Sequence, residues 1–120
     1  MFAVFFFKTE KDRVPVREFL DNLPDPRAKA QIIRAIQRLG EVGFLPEPFS
    51  RAIAGSRKLR ELRITHGGNI YRVFYSLVPG GRILLLHGFV KKTGKTPPNE
   101  IRVAEARLKQ YLEGEHEEKN

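Results

Sequence analysis

The chain has 120 residues, a formal net charge of +8 and no cysteine. That length suits one compact domain with its own core, and the missing thiols exclude a disulfide framework and any thiolate metal site. The basicity is local: residues 51–111 hold thirteen of the 22 Lys and Arg but three of the 14 Asp and Glu, and between Glu47 and Glu100 the only acid is Glu61.

In chain order, FAVFFF (2–7) is short, aromatic and β-branched, which predicts a strand buried on both faces. It lacks a charged segment before it and a small-residue cleavage site after it, so it is not read as a signal peptide. No run approaches the ~18 apolar residues of a membrane span. The expectation is a soluble cytoplasmic protein with no membrane partner.

Val16, Phe19, Leu20 and Leu23 form one helical face. Pro15 suits the first helical position, although Val14 is a poor cap. The LPDP stretch (23–26) breaks this helix. Asp25 then caps a second helix whose stripe is Ile32, Ala35, Ile36 and Leu39, with Gly40 and Gly43 as places to stop. A proline-containing loop without period spans 43–57. Three strand-like runs follow, KLRELRI (58–64), NIYRVFYSLV (69–78) and RILLLHGFV (82–90), joined by short glycine-rich links that predict two consecutive hairpins. A last helix starts near Thr96 and Pro97 and carries Ile101, Ala104, Leu108 and Tyr111 or Leu112 on one face. The order β-α-α-β-β-β-α predicts an α+β fold with a mainly antiparallel four-stranded sheet. Residues 1–112 form one domain, and the polar end, 113–120, is expected to be frayed or disordered.

Several motifs fail on spacing. Thr93-Gly94-Lys95-Thr96 ends like a nucleotide-binding loop, but Gly88 and Gly94 enclose five residues where that loop has four, and Pro97 and Pro98 lack amide protons. Lys92-Thr93-Gly94 has no S-x-x-K to accompany it. His66, His87 and His116 are far apart and meet few carboxylates, so no metal site and no cofactor are expected. No Ser-His-Asp arrangement is supported. His87, alternating with Leu85 and Phe89, is expected to be a satisfied, partly buried histidine.

The strands carry a different signal. Alternation puts Leu62, Ile64, Tyr71, Val73 and Tyr75 toward the helices and Glu61, Arg63 and Arg72 on the other face, an expected concave surface. Lys91 and Lys92 stand at its rim, with Lys58, Arg60 and Lys95 outside it. A polyanion partner explains such a basic segment through phosphate neutralisation and counterion release. Arginines inside apolar strands are informative, because packing alone favours Thr or Val there.

LRELRITHGGNIYRVFYSL followed by RILLLHGFVKKTGKTPPNEIRVAEARLKQY resembles the RelE/ParE toxin superfamily, and within it the HigB-like, phage-derived branch. The similarity runs over residues 2–112 and includes VPVREFLDNLP in the first helix. Its elements occur in order: L-x-E-L-R-I, Y-R-V-x-Y, L-L-H-x-F-x-K-K and P-x-x-E-I. The resemblance implies a RelE-like fold and a metal-independent endoribonuclease that cleaves mRNA, usually on the ribosome. It also implies a small helix-turn-helix antitoxin as cognate partner. Carried over by position, the family's basic strand residues correspond to Arg63 and Arg72, and its basic residue past the last strand to Lys91 or Lys92. The chain departs from some members in having Glu61 two before Arg63, and Pro97-Pro98-Asn99 where a catalytic tyrosine stands. RNA cleavage by its own 2′-hydroxyl needs a proton acceptor, a cationic clamp on the phosphorane and an acid for the leaving oxygen. Arg63 and Arg72 suit the clamp and Lys91 or Lys92 the acid. Glu61 suits either a base or an ion-pair orienter for Arg63. The alternatives are a ParE-like, gyrase-binding toxin and an inactive prophage-derived binding module.

Overall fold

The computed structural model describes residues 1–56, 58–92, 95–114 and 117–118. Its elements are β1 (Ala3–Phe7), α1 (Pro15–Asp21), α2 (Pro26–Val42), β2 (Ser50–Ala52), β3 (Arg60–His66), β4 (Asn69–Val78), β5 (Arg82–Lys91), α3 (Pro98–Gly114) and β6 (Glu117–Glu118). The α+β class holds. The sheet is larger than the expected four strands, with order β2-β3-β4-β5-β1-β6. Strands β2 to β5 run antiparallel in sequence, while β1 lies parallel to β5. Periodicity misses β2 because three residues in a proline-rich loop carry no pattern. It forms because the edge of β3 offers unused backbone groups and because Ser50 is buried, its hydroxyl 2.6 Å from that of Tyr75.

Of the tail expected to fray, Glu113 and Gly114 complete α3, and Glu117–Glu118 pair antiparallel with Phe7 and Phe6. The expectation for 115, 116, 119 and 120, His116 included, lies outside the described residues, as do Thr93 and Gly94 of the loop-like motif.

The local signals act as chemistry requires. The Asp25 side chain accepts the Arg27 amide at 2.9 Å, Pro26 occupies the first helical position, and Gly43 ends α2 in the left-handed region at φ 75°. Val14 makes no side-chain cap on α1. Helices α1 and α2 cover one face of the sheet, burying Val16, Leu20, Ile32 and Leu39 against Leu62, Tyr71, Val73 and Tyr75. The opposite face is not open. Helix α3 packs on it, with Ala104, Leu108 and Tyr111 against Phe74, Leu84 and Leu86. Strand β1 serves both cores, Val4 and Phe6 on one side and Phe5 and Phe7 on the other.

No helix among the described residues is long and apolar enough to cross a membrane.

Gly88 sets how closely α1 approaches β5. A Cβ at this position would overlap the Phe19 ring carbons. Gly88→Ala is therefore expected to destabilise the fold by about 1–3 kcal/mol through overpacking. A lower urea midpoint with an unchanged slope would report it.

Candidate functional site

The pairing register assembles a charged surface from four strands. Arg51 stands opposite Glu61, Glu61 opposite Phe74, and Phe74 opposite His87. The next row is Arg63, Arg72 and Phe89, and beyond it Ile70 stands opposite Lys91. Cross-strand partners share a face, so Arg51, Glu61, Arg63, Arg72 and Lys91 all belong to the α3 side of the sheet. Two arginines directly opposite one another repel. Glu61, one row away, supplies the counter-charge.

Glu61 and Arg72 are both fully buried, each at 0 % exposure. Arg72 Nη1 donates to Glu61 Oε2 at 3.1 Å and to Thr96 Oγ1 at 2.7 Å. Thr96 Oγ1 also donates to Glu61 Oε2, at 3.3 Å. The other carboxylate oxygen accepts from Arg51 Nε at 3.4 Å and lies 3.8 Å from Arg63 Nε. One buried carboxylate thus faces three guanidinium groups. Burying such charges costs several kcal/mol each and is sustained only by dense hydrogen bonding, which this cluster has. The guanidinium of Arg72 also lies 5.9 Å from the Phe89 ring centroid.

The two flanking arginines reach the surface, with side-chain exposures of 39 % for Arg51 and 18 % for Arg63. The pKa of Arg63 is lowered, first by burial and then by the charge of Arg51, with Glu61 opposing. Arginine remains charged at neutral pH regardless. Positive charge here exceeds what Glu61 neutralises, and a bound anion would relieve the repulsion. Lys91, Lys92 and Lys95 are exposed. Lys91 is on this face by register, and Lys92 follows in the bend after β5.

The expected concave patch therefore divides into a surface layer, Arg51, Arg63 and Lys91, and a buried layer, Glu61 and Arg72. Arg60 does not join either layer. Alternation puts it with Leu62 on the α2 side, where its Nε is 3.3 Å from Tyr75 Oη and its guanidinium is 5.5 Å from the Phe44 ring centroid. Lys58 lies beside Leu108 and Leu112 near the far end of α3. Tyr111 accepts a 2.6 Å hydrogen bond from Arg82, at the opposite end of β5 from Lys91. The sequence does not mark Arg51 and Thr96 as site residues. Neither sits in a periodic stretch that would have marked it.

A β-bulge explains His87. The register passes from Phe74↔His87 to Tyr75↔Leu85, leaving Leu86 extra. The alternation expected between Leu85 and His87 is broken, and His87 turns to the α3 side. Its ring stacks on Phe89, 5.6 Å between centroids at 25°. Its Nδ1 meets Arg107 Nη1 at 3.1 Å and its Nε2 meets Glu100 Oε1 at 2.6 Å. A guanidinium can only donate, so Nδ1 accepts and Nε2–H donates to Glu100. Arg107 also donates to the Leu86 carbonyl at 2.9 Å, and burial lowers its pKa, opposed by the charges of Glu100 and Glu18. Both ring nitrogens are committed, so His87 anchors the first turn of α3, just after Thr96, rather than standing ready as a base.

Among the described residues no group of three or more His, Asp or Glu side chains gathers as metal ligands.

Fold and site together define a small α+β protein whose sheet presents arginines ordered by a buried carboxylate. The profile of the family described as "Phage derived protein Gp49-like (DUF891)" matches residues 18–109. The chain belongs to this phage-derived family, which is RelE-like and toxin-like. No curated protein matches the chain.

Proposed function

We propose that the protein is the toxin of a type II toxin–antitoxin system, HigB-like within the RelE/ParE superfamily, and cleaves mRNA on the ribosome. The observation that carries this reading is Glu61, buried and shared by three arginines, two of which are partly exposed on the face of the sheet that also carries Lys91. Arg51 and Arg63 hold the non-bridging oxygens of one RNA phosphate through charge-assisted hydrogen bonds. The adjacent 2′-hydroxyl attacks phosphorus, its proton passing to water, and the bond to the 5′-oxygen breaks. Lys91 or Lys92 protonates that leaving oxygen. The fixed cations stabilise the extra negative charge of the phosphorane, so the step needs no metal. Arg72 and Glu61 act from below. Glu61, with both oxygens engaged by donors, orients the arginines and does not take the proton. The partners are mRNA, the ribosome and a cognate helix-turn-helix antitoxin.

Induction in a bacterial host, with mapping of mRNA 5′ ends, tests this. New ends within coding sequence are expected, absent with Arg63→Ala. Growth arrest with intact mRNA and damaged DNA would instead support a ParE-like, gyrase-binding toxin. No arrest and no cleavage would support an inactive binding module.

A further inference from the structure

A groove of about 940 Å³ lies between α2 and the edge of the sheet. Phe44, Pro46, Pro48 and Phe49 give it apolar walls, and three arginines, Arg34, Arg38 and Arg63, line it against one acid, Glu41. Phe44 and Phe49 are 60 % and 51 % exposed. The groove meets the arginine cluster at Arg63.

From this junction we infer that Phe49 is the stacking platform for an unpaired RNA base next to the phosphate held by Arg51 and Arg63. The inference rests on the ribonuclease reading and extends it to a nucleobase subsite. Phe49 stands in the turn that leads into β2, its carbonyl accepting the Arg63 amide at 2.8 Å. It lines the groove together with Arg63. Only Ser50 separates it from Arg51 in the chain, so two steps of at most ~3.6 Å put the two backbones within about 7 Å, a span that one nucleotide covers. The segment is pre-formed: the amides of Phe49 and Ser50 both bond to the Pro46 carbonyl, at 2.9 and 3.2 Å. Phe44 already carries the Arg60 guanidinium, whereas Phe49 makes no ring–ring or cation–π contact among the described residues. An exposed aromatic beside a phosphate clamp is how single-stranded RNA is held without strict sequence demand. An acidic peptide would satisfy the arginines equally well. Its carboxylates offer no flat π-face for Phe49.

The chain contains no tryptophan, so Phe49→Trp introduces a single fluorescent reporter. The probe is a short single-stranded 2′-O-methyl oligoribonucleotide, which cannot be cleaved by 2′-hydroxyl attack. The comparison is an abasic oligomer with the same number of phosphates. The oligoribonucleotide is expected to quench the indole fluorescence of the Phe49→Trp variant and the abasic oligomer to leave it unchanged. Phe49→Ala is expected to weaken binding of the oligoribonucleotide about ten-fold, with abasic binding and melting temperature unchanged. RNA binding without quenching and without loss in Phe49→Ala would overturn the base subsite and leave the ribonuclease reading standing. No RNA binding by the parent chain would overturn both. Quenching by a poly-glutamate peptide, with RNA inert, would overturn the subsite in favour of a protein partner.

Discussion

Arg63→Ala is expected to lower RNA cleavage by about 10²-fold or more, the usual consequence of removing one preorganised donor to a developing oxyanion, with almost no change in stability. The two halves of this expectation have separate causes. Arg63 is one of the two surface arginines over the buried carboxylate, and its Nε contact with Glu61, at 3.8 Å, is longer than those of Arg72 at 3.1 Å and Arg51 at 3.4 Å. Removing it leaves Glu61 with two arginines and Thr96. Its pKa is lowered by burial and by Arg51, so its loss also removes a repulsion. Stability is expected to stay within about 0.5 kcal/mol of the parent. Arg63→Lys keeps the charge but not the planar fork, and activity between the two is expected. Single-turnover cleavage of a reporter RNA, measured beside a thermal melt, checks both parts. Unchanged cleavage in Arg63→Ala would remove this residue from the phosphate site.

Which parts of this arrangement the sequence discloses follows from the range of the forces involved. The cap at Asp25, the stop at Gly43 and the β3–β4 hairpin depend on neighbours within a few residues, and they appear where local chemistry puts them. The division of faces is likewise local, because alternation has a period of two. Leu62, Tyr71 and Val73 face α1 and α2, while Glu61, Arg63 and Arg72 face away. What covers the second face is not local. That α3 returns across it, burying Arg72 beneath Thr96, depends on a connection that alternation does not describe. The bulge at Leu86 shows the same limit within one strand. A single extra residue transfers His87 from the α1 side to the α3 side, and the run RILLLHGFV shows no break in pattern there. Arg51 is hidden for a third reason, since a three-residue edge strand is too short to have a period.

Arg72→Ala is expected to cost about 3–5 kcal/mol of folding stability, the scale for removing one partner of a buried ion pair. That is a large part of the ~5–15 kcal/mol that holds a domain of this size together. The cost comes from Glu61. It is fully buried, and without Arg72 it keeps only the hydrogen bonds from Arg51 and Thr96. Replacing both members of the pair, as in Arg72→Met with Glu61→Leu, removes the stranded charge together with its partner. Most of the stability is expected to return, because apolar substitutes for a buried pair are often neutral. Cleavage is not expected to return with it. Arg51 and Arg63 would then lack the carboxylate that orders them, and the double variant is expected to fold while remaining about 10²-fold impaired. Urea denaturation and single-turnover cleavage, run on both single variants and the double, separate the two contributions as a thermodynamic cycle. An Arg72→Ala protein that unfolds at the parent's urea midpoint would show that the pair does not hold the sheet. A double variant that recovers full cleavage would show that Glu61 does not order the arginines above it.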